Sequence, residues 1–252
     1  MSLAIISDIH GVDNLSSLLE EIEHKHKPKS YLFLGDYDTA EAIRDLMKFS
    51  DYLAKKKKEC IILPGNHDHA LVTNLEISSP IFRIRRIYFS ELYQDLQNHP
   101  EEKAFLEKVV NSDFYKVFRI NCLGKKDNAL AVHGGFYGRN YEDLDDKTSM
   151  LWYKASRSDF IKDNLRALEL MGLKVMIKGH DHDSFITSYG NSELNVERPS
   201  GNGDCFPIER NKLHIVGVGS LFEGDYAVIR TREKIPVVEF CRTGEKRRIW
   251  TP

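Results

Sequence analysis

This 252-residue chain has few cysteines, no long apolar run and no excess of either charge. Its four cysteines, Cys60, Cys122, Cys205 and Cys241, are far apart and form no C-x-x-C pair. That excludes a zinc ribbon and argues against a thioredoxin-like motif. The thiols read as reduced, small hydrophobes. No window approaches the ~18–20 apolar residues of a membrane span. The start, Met1-Ser2-Leu3-Ala4-Ile5-Ile6-Ser7-Asp8, has neither the basic region nor the apolar length of a signal peptide. The expectation is a soluble, cytoplasmic protein with no membrane partner. With 36 Lys and Arg against 38 Asp and Glu, the formal net charge is -2, which gives no global pull towards nucleic acid. A long basic stripe with interleaved aromatics is also missing, so extended nucleic-acid binding is not expected. Repeats and low-complexity segments are absent, and 41% hydrophobic content is too high for disorder. Nothing in the sequence indicates an oligomeric state. What is present in quantity is histidine, ten residues of it.

The first seventy residues alternate short apolar runs with amphipathic stretches. Residues 3–6, 31–34 and 60–63 read as strands buried on both faces. Between them, Leu15, Leu18, Leu19 and Ile22 form one helical stripe, with Asp13 and Asn14 as candidate caps, and Ile43, Leu46, Met47 and Leu53 form another. This β-α-β-α-β order implies a parallel sheet. Residues 81–96 and 101–110 read as helices with no strand between them, a helical insertion over about 75–113 beside the main sheet. Strands are expected at 115–120, 130–132 and 175–177, and a helix at 159–171. Short strands follow at 185–189, 213–216, 226–230 and 236–240, with 198–207 as a loop.

The chemistry-bearing residues stand where the buried strands end. The five turns are Ser7-Asp8-Ile9-His10-Gly11, Gly35-Asp36-Tyr37-Asp38, Pro64-Gly65-Asn66-His67-Asp68, His133-Gly134-Gly135 and Gly179-His180-Asp181-His182. The carboxyl edge of an open α/β sheet is where ligands bind. Carboxylate, amide and imidazole donors without thiolate suit Mn, Fe or Zn, with Mn the first expectation. Asp8, His10, Asp36, Asn66, His133, His180 and His182 are too many for one open zinc, which takes three protein ligands. They suit two divalent ions about 3.5–4 Å apart sharing a carboxylate. In Asp8-Ile9-His10 the two side chains lie two apart on one side of an extended segment, as do those of His180 and His182, so both pairs can chelate. His24, His26, His69, His99 and His214 lie outside these turns and read as structural or solvated.

The ordered set Asp8-x-His10, Gly35-Asp36, Gly65-Asn66-His67-Asp68, His133 and Gly179-His180-x-His182 resembles the signature of calcineurin-like metallophosphoesterases, spread over about 175 residues of this chain. Gly217-Val218-Gly219-Ser220 resembles the Gly-Ser turn that often follows the family's last histidine. The resemblance implies an α/β fold, a two-sheet β-sandwich flanked by helices (α/β/β/α), as a single domain over residues 1–252. It implies an enzyme, a metal-dependent hydrolase of phosphate esters. Asp8, His10, Asp36 and His182 would hold one metal; Asp36, Asn66, His133 and His180 would hold the other, with Asp36 bridging. A metal-bridging hydroxide would be the nucleophile, and His67 would stabilise the phosphoryl group or protonate the leaving oxygen. A phosphomonoesterase is the first reading, a phosphodiesterase or nuclease the second, and a non-catalytic scaffold the third; the complete ligand set and His67 speak against the last.

The chain departs from the family's protein-phosphatase branch in one place. His133-Gly134-Gly135 is similar to that branch and to the dinucleoside tetraphosphatases, but the branch follows its Gly-Asp motif with an Asp three residues on and then an Arg. Here those positions are Thr39 and Ala40, with an acid instead at Asp38. The carboxylate that orients the catalytic histidine is therefore shifted or absent. The His180, His182 pair fits the broader phosphoesterases better. With the Arg missing, Arg83, Arg85 and Arg86 of the insertion, or Arg139, are candidates to grip phosphate, since Arg forks match phosphate oxygens.

Overall fold

The computed structural model describes residues 2–73, 85–124, 126–136, 147–154 and 158–243. The first three strands, β1 (Ser2–Ile6), β2 (Ser30–Phe33) and β3 (Glu59–Ile62), alternate with α1 (Leu15–His26) and α2 (Ala40–Lys55) and pair in parallel. Three helices follow: α3 (Asn66–Thr73), α4 (Arg85–Gln97) and α5 (Pro100–Val110). Next, β4 (Tyr115–Phe118) pairs antiparallel with β5 (Ala129–Val132). After α6 (Lys147–Trp152) and α7 (Ser158–Met171) comes β6 (Val175–Lys178), parallel to β5. The rest is mainly strand: β7 (Phe185–Gly190), β8 (Glu193–Glu197), β9 (Asp204–Pro207), β10 (His214–Gly217), β11 (Asp225–Arg232) and β12 (Ile235–Arg242). Two mixed six-stranded sheets result, β3-β2-β1-β11-β12-β9 and β4-β5-β6-β10-β7-β8.

Side-chain alternation explains the layers. Leu3 and Ile5 of β1 face the second sheet, packing in one cluster with Leu32, Ala131, Ile177 and Val216. Ala4 and Ile6 point the other way, into a cluster with Leu19, Ile22, Ile43 and Leu46 of α1 and α2. A strand covered on both faces has to be apolar throughout, which is why residues 3–6 form an unbroken run. On the outer side of the second sheet, Leu130, Met176 and Ile215 pack with Leu165 and Leu168 of α7. The order is helix, sheet, sheet, helix, as expected. No helix among the described residues is long and apolar enough to cross a membrane.

Local signals behave unevenly. Thr39 caps α2, its hydroxyl accepting from Ala42 N at 3.2 Å. Asn14 stands at the start of α1 with a left-handed φ of 57° and makes no side-chain cap, contrary to expectation. The insertion helices pack on α2 as well as on each other: Ala40 N donates to Asp95 Oδ2 at 3.1 Å, and Arg44 Nε meets Glu102 Oε1 at 2.6 Å. Helix α3, which begins inside the third turn, was not expected. Nor was β8, whose residues alternate between exposed and half-buried and so carry no apolar run. The expected loop at 198–207 ends in β9, a short edge strand paired with β12.

Candidate metal centre

Carboxyl ends of strands from both sheets meet along one edge. β1, β2 and β3 deliver Asp8, Asp36 and Asn66; β5 and β6 deliver His133 and His180. Three of the turns share one backbone device. Asp8 and His10 have φ of 51° and 44°, Asp36 and Asp38 of 60° and 56°, and His180 and His182 of 65° and 59°. In each, two left-handed residues flank an ordinary one, so the expectation of an extended segment is corrected. Such conformations cost about 1–3 kcal/mol each in non-glycine residues and persist where surrounding structure enforces them. Here the enforcement includes Asp8 N to Gly35 O at 3.2 Å and His10 N to Asp36 O at 2.8 Å, which tie the first turn to the second. Two glycines permit the close approach: a Cβ at Gly65 would lie 2.0 Å from Asp36 Oδ1, and one at Gly179 would lie 1.7 Å from Ser7 Oγ.

The donor atoms converge in two overlapping sets. His10 Nε2 lies 3.1 Å from His182 Nε2, 3.6 Å from Asp36 Oδ2 and 3.8 Å from Asp8 Oδ1; His182 Nε2 is 3.3 Å from Asp8 Oδ1. In the second set His133 Nε2 lies 2.8 Å from Asn66 Oδ1 and 3.5 Å from Asp36 Oδ2, and the His133 and His180 rings are 5.1 Å apart. One oxygen, Asp36 Oδ2, thus stands between His10 and His133. Donor atoms of Asp8, Asp36, His133 and His180 all lie within 4.8 Å of one another.

The other polar atoms of these residues are engaged elsewhere, which aims the donors. Asp36 Oδ1 accepts from His67 N at 2.9 Å, leaving Oδ2 to face the histidines. Asp8 Oδ2 accepts from Ser7 Oγ and from His180 N, while Oδ1 is buried with no hydrogen-bond donor. The His133 Nδ1–H donates to Leu34 O, so Nε2 presents a lone pair to Asn66 Oδ1. Acceptors facing acceptors, with an orphaned carboxylate oxygen among them, are a fit for cations. Protonation agrees. Burial pushes His133 down to about 4 and His180 well below the ordinary histidine range, so both are neutral, as ligands must be. Burial, reinforced by Asp8, Asp68 and Asp38, raises Asp36 well above the usual carboxylate range. Burial would also lower His10, but Asp38 and Asp36 outweigh it and raise His10 to about 8.

Four supporting residues, Asp38, Asp68, Ser220 and Phe89, stand around the donors. Asp38 is fully buried and divides its carboxylate: His10 Nδ1–H donates to Oδ2 at 2.9 Å and His67 Nδ1–H to Oδ1 at 3.0 Å. The orienting carboxylate is therefore shifted to Asp38, not absent. Asp68, also buried, accepts from Asp36 N at 2.8 Å, Gly65 N at 2.7 Å and Tyr37 N at 3.0 Å, pinning the second turn to the third. Its place in the Gly65-Asn66-His67-Asp68 run was the available signal. Ser220 donates to Asp8 O at 2.6 Å, so the Gly-Ser turn braces the first turn from behind. Phe89 of α4 packs edge-to-face with His67, 4.8 Å between centroids, so the insertion walls one side of the site.

The arginine candidates are not brought to the site by anything described. Arg83 and Arg139 lie outside the described residues, and Arg85 and Arg86 are known only as backbone in the first turn of α4.

No curated protein sequence matches the chain significantly. The fold is similar to that of a metallophosphoesterase from Sphaerobacter thermophilus, at 19% identity and a TM-score of 0.65, over 98% of this chain and 90% of that one. It is also similar to a mutant of a cold-active protein tyrosine phosphatase, at 14% identity and a TM-score of 0.52, over 90% of this chain and 74% of that one. Residues 1–212, which include all five turns, match the family model described as calcineurin-like phosphoesterase. The chain belongs to that family, and is a hydrolase of phosphate esters that uses divalent metal.

Proposed function

We propose that the strand-end cluster binds two divalent cations and that the enzyme is a phosphomonoesterase. The observation that carries this reading is Asp36 Oδ2, 3.6 Å from His10 Nε2 and 3.5 Å from His133 Nε2, one carboxylate oxygen between two donor sets. Asp8, His10, Asp36 and His182 would hold one cation, and Asp36, Asn66, His133 and His180 the other. Bound there, the cations would acidify a water for in-line attack on phosphorus and neutralise the phosphate oxygens. Donors of nitrogen and oxygen without sulfur favour Mn, with Fe or Zn next.

The chain's own groups do the rest. Asp38 accepts the Nδ1–H of His67 and so leaves Nε2 as the atom that carries a transferable proton. Set beside the cation ligands, His67 protonates the leaving oxygen, a role worth typically 10²–10⁴-fold. Asp38 holds His10 in the matching tautomer, which would leave Nε2 to ligate a cation. The preference for a monoester follows the likeness of the His133-Gly134-Gly135 turn to the phosphatase branch. Turnover of p-nitrophenyl phosphate and its bis-ester by Mn²⁺-loaded protein tests the reading. Metal-dependent monoester hydrolysis, lost in Asp36→Asn, is expected. Preference for the bis-ester would make the enzyme a diesterase, and turnover untouched by Asp36→Asn would remove the cluster from catalysis.

A further inference from the structure

Lys178 ends β6 with a side chain that is wholly buried. Its neighbours in register are Val132 of β5 and Gly217 of β10, so it stands directly before the turns that carry His133 and His180. Its Nζ donates to Asp181 Oδ2, and the Asp181 side chain is only 1% exposed. Asp181 is the middle residue of His180-Asp181-His182. Taking two ions out of water costs several kcal/mol each, and an apolar pair of similar size is often as stable or more so. General stability is therefore a poor reason for this pair, and its position supplies a better one. The first half of the turn is already tied down, by Gly179 N to His133 O at 2.9 Å and His180 N to Asp8 Oδ2 at 2.9 Å. The second half carries His182, whose side chain is 40% exposed and whose φ is 59°. The Lys178–Asp181 pair reaches across to that half.

We propose that Lys178 and Asp181 are positioning residues, a buried clamp that holds the left-handed turn carrying His180 and His182 and thereby fixes His182 in the first cation set. The inference rests on the two-cation reading above. Without the clamp His180 keeps its main-chain ties, so the set with Asp8, His10 and His182 loosens most. The apolar double variant Lys178→Met with Asp181→Leu separates positioning from stability, because it removes both charges of the pair together. Lys178→Met with Asp181→Ala is the smaller alternative should leucine not be accommodated.

Metal-free parent and variants are titrated with Mn²⁺, following free Mn²⁺ by its paramagnetic resonance signal, and melted without metal. Two equivalents bound by the parent are expected. In the double variant one of the two binds about 10–100-fold more weakly, while the metal-free melting temperature stays at or above the parent's. Asp181→Asn, which keeps an acceptor for Nζ, holds both affinities closer to the parent's than the double variant does. A double variant that binds both equivalents with parental affinity overturns the clamp. A parent that binds fewer than two equivalents overturns the two-cation reading itself, and the clamp with it.

Discussion

Among the described residues two polar clusters gather histidine and carboxylate at ligand-like distances, and they differ in one respect that bears on their chemistry. Beneath the C-terminal end of α1, the donor atoms of His26, Glu239 and Cys241 lie within 4.8 Å of one another, as do those of Asp8, Asp36, His133 and His180. The first cluster brings its own cation. Arg230 Nε is 3.2 Å from Glu239 Oε2, its Nη2 contacts His26 Nδ1, and Arg232 adds a second guanidinium 3.7 Å from the same carboxylate. In the strand-end cluster no guanidinium or ammonium does this: among the described residues Asp8 and Asp36 pair only with histidines. Backbone separates them too. Asp8, His10, Asp36, His180 and His182 have left-handed φ, whereas Glu239 and Cys241 sit on regular strand β12. Donor proximity alone does not make a metal centre. A shortage of protein cations, held open by strained backbone, does.

The comparison can be broken most severely at Asp36. Asp36→Asn should cut metal-dependent turnover by more than the ~10–100-fold typical of outer-shell changes, and abolish thermal stabilisation by Mn²⁺. For the parent at 100 times Kd that stabilisation is about 2.7 kcal/mol for each cation bound, read by calorimetry. Burial holds the Asp36 carboxyl well above its usual range, so the amide should leave the metal-free protein as stable or more so. Next in size is His67→Ala, expected to lower kcat by about 10²–10⁴-fold with Mn²⁺ affinity unchanged. The loss should be greater for phenyl phosphate than for p-nitrophenyl phosphate, whose leaving group needs no proton. Asp38→Asn should fall below that, at about 10–100-fold, yet weaken Mn²⁺ binding as well, because it serves both His10 and His67.

The other cluster yields a pH signature. Burial, then Arg230, pushes His26 down to about 4 from an ordinary 6.5, so folding favours its neutral form. That contribution is complete above 6.5 and is lost as the pH falls towards 4. His26→Phe should flatten this acid limb in urea titrations of the metal-free protein, without moving the activity. The smallest effect belongs to Cys241→Ser. Burial, then Glu239, raises this thiol to about 12, so it is not a thiolate ligand, and the number of Mn²⁺ bound should not change.

The sequence made the strand-end cluster legible because strands covered on both faces advertise themselves as apolar runs, and each run stops at a donor. The cluster around His26 is invisible by the same logic, since its partners Tyr226, Arg230 and Glu239 come from strands about 200 residues on. Asp38 was readable as an acid in an unusual place, but whether it reached His67 depended on how two turns face each other. The paired donors are legible in the sequence and their backbone is not, because spacing of two is compatible both with a pleat and with a left-handed turn. Lys178 looks like the polar end of a strand. Only the parallel register with β5 and β10 shows it to be enclosed.

The most direct test is a Mn²⁺ titration of metal-free protein carried out in parallel on the parent, Asp36→Asn and Cys241→Ser. Two equivalents bound by the parent and by Cys241→Ser, with both weakened or lost in Asp36→Asn, are the expected result. Binding that survives Asp36→Asn intact, or that disappears in Cys241→Ser, would place the metal elsewhere and contradict the assignment of the strand-end cluster.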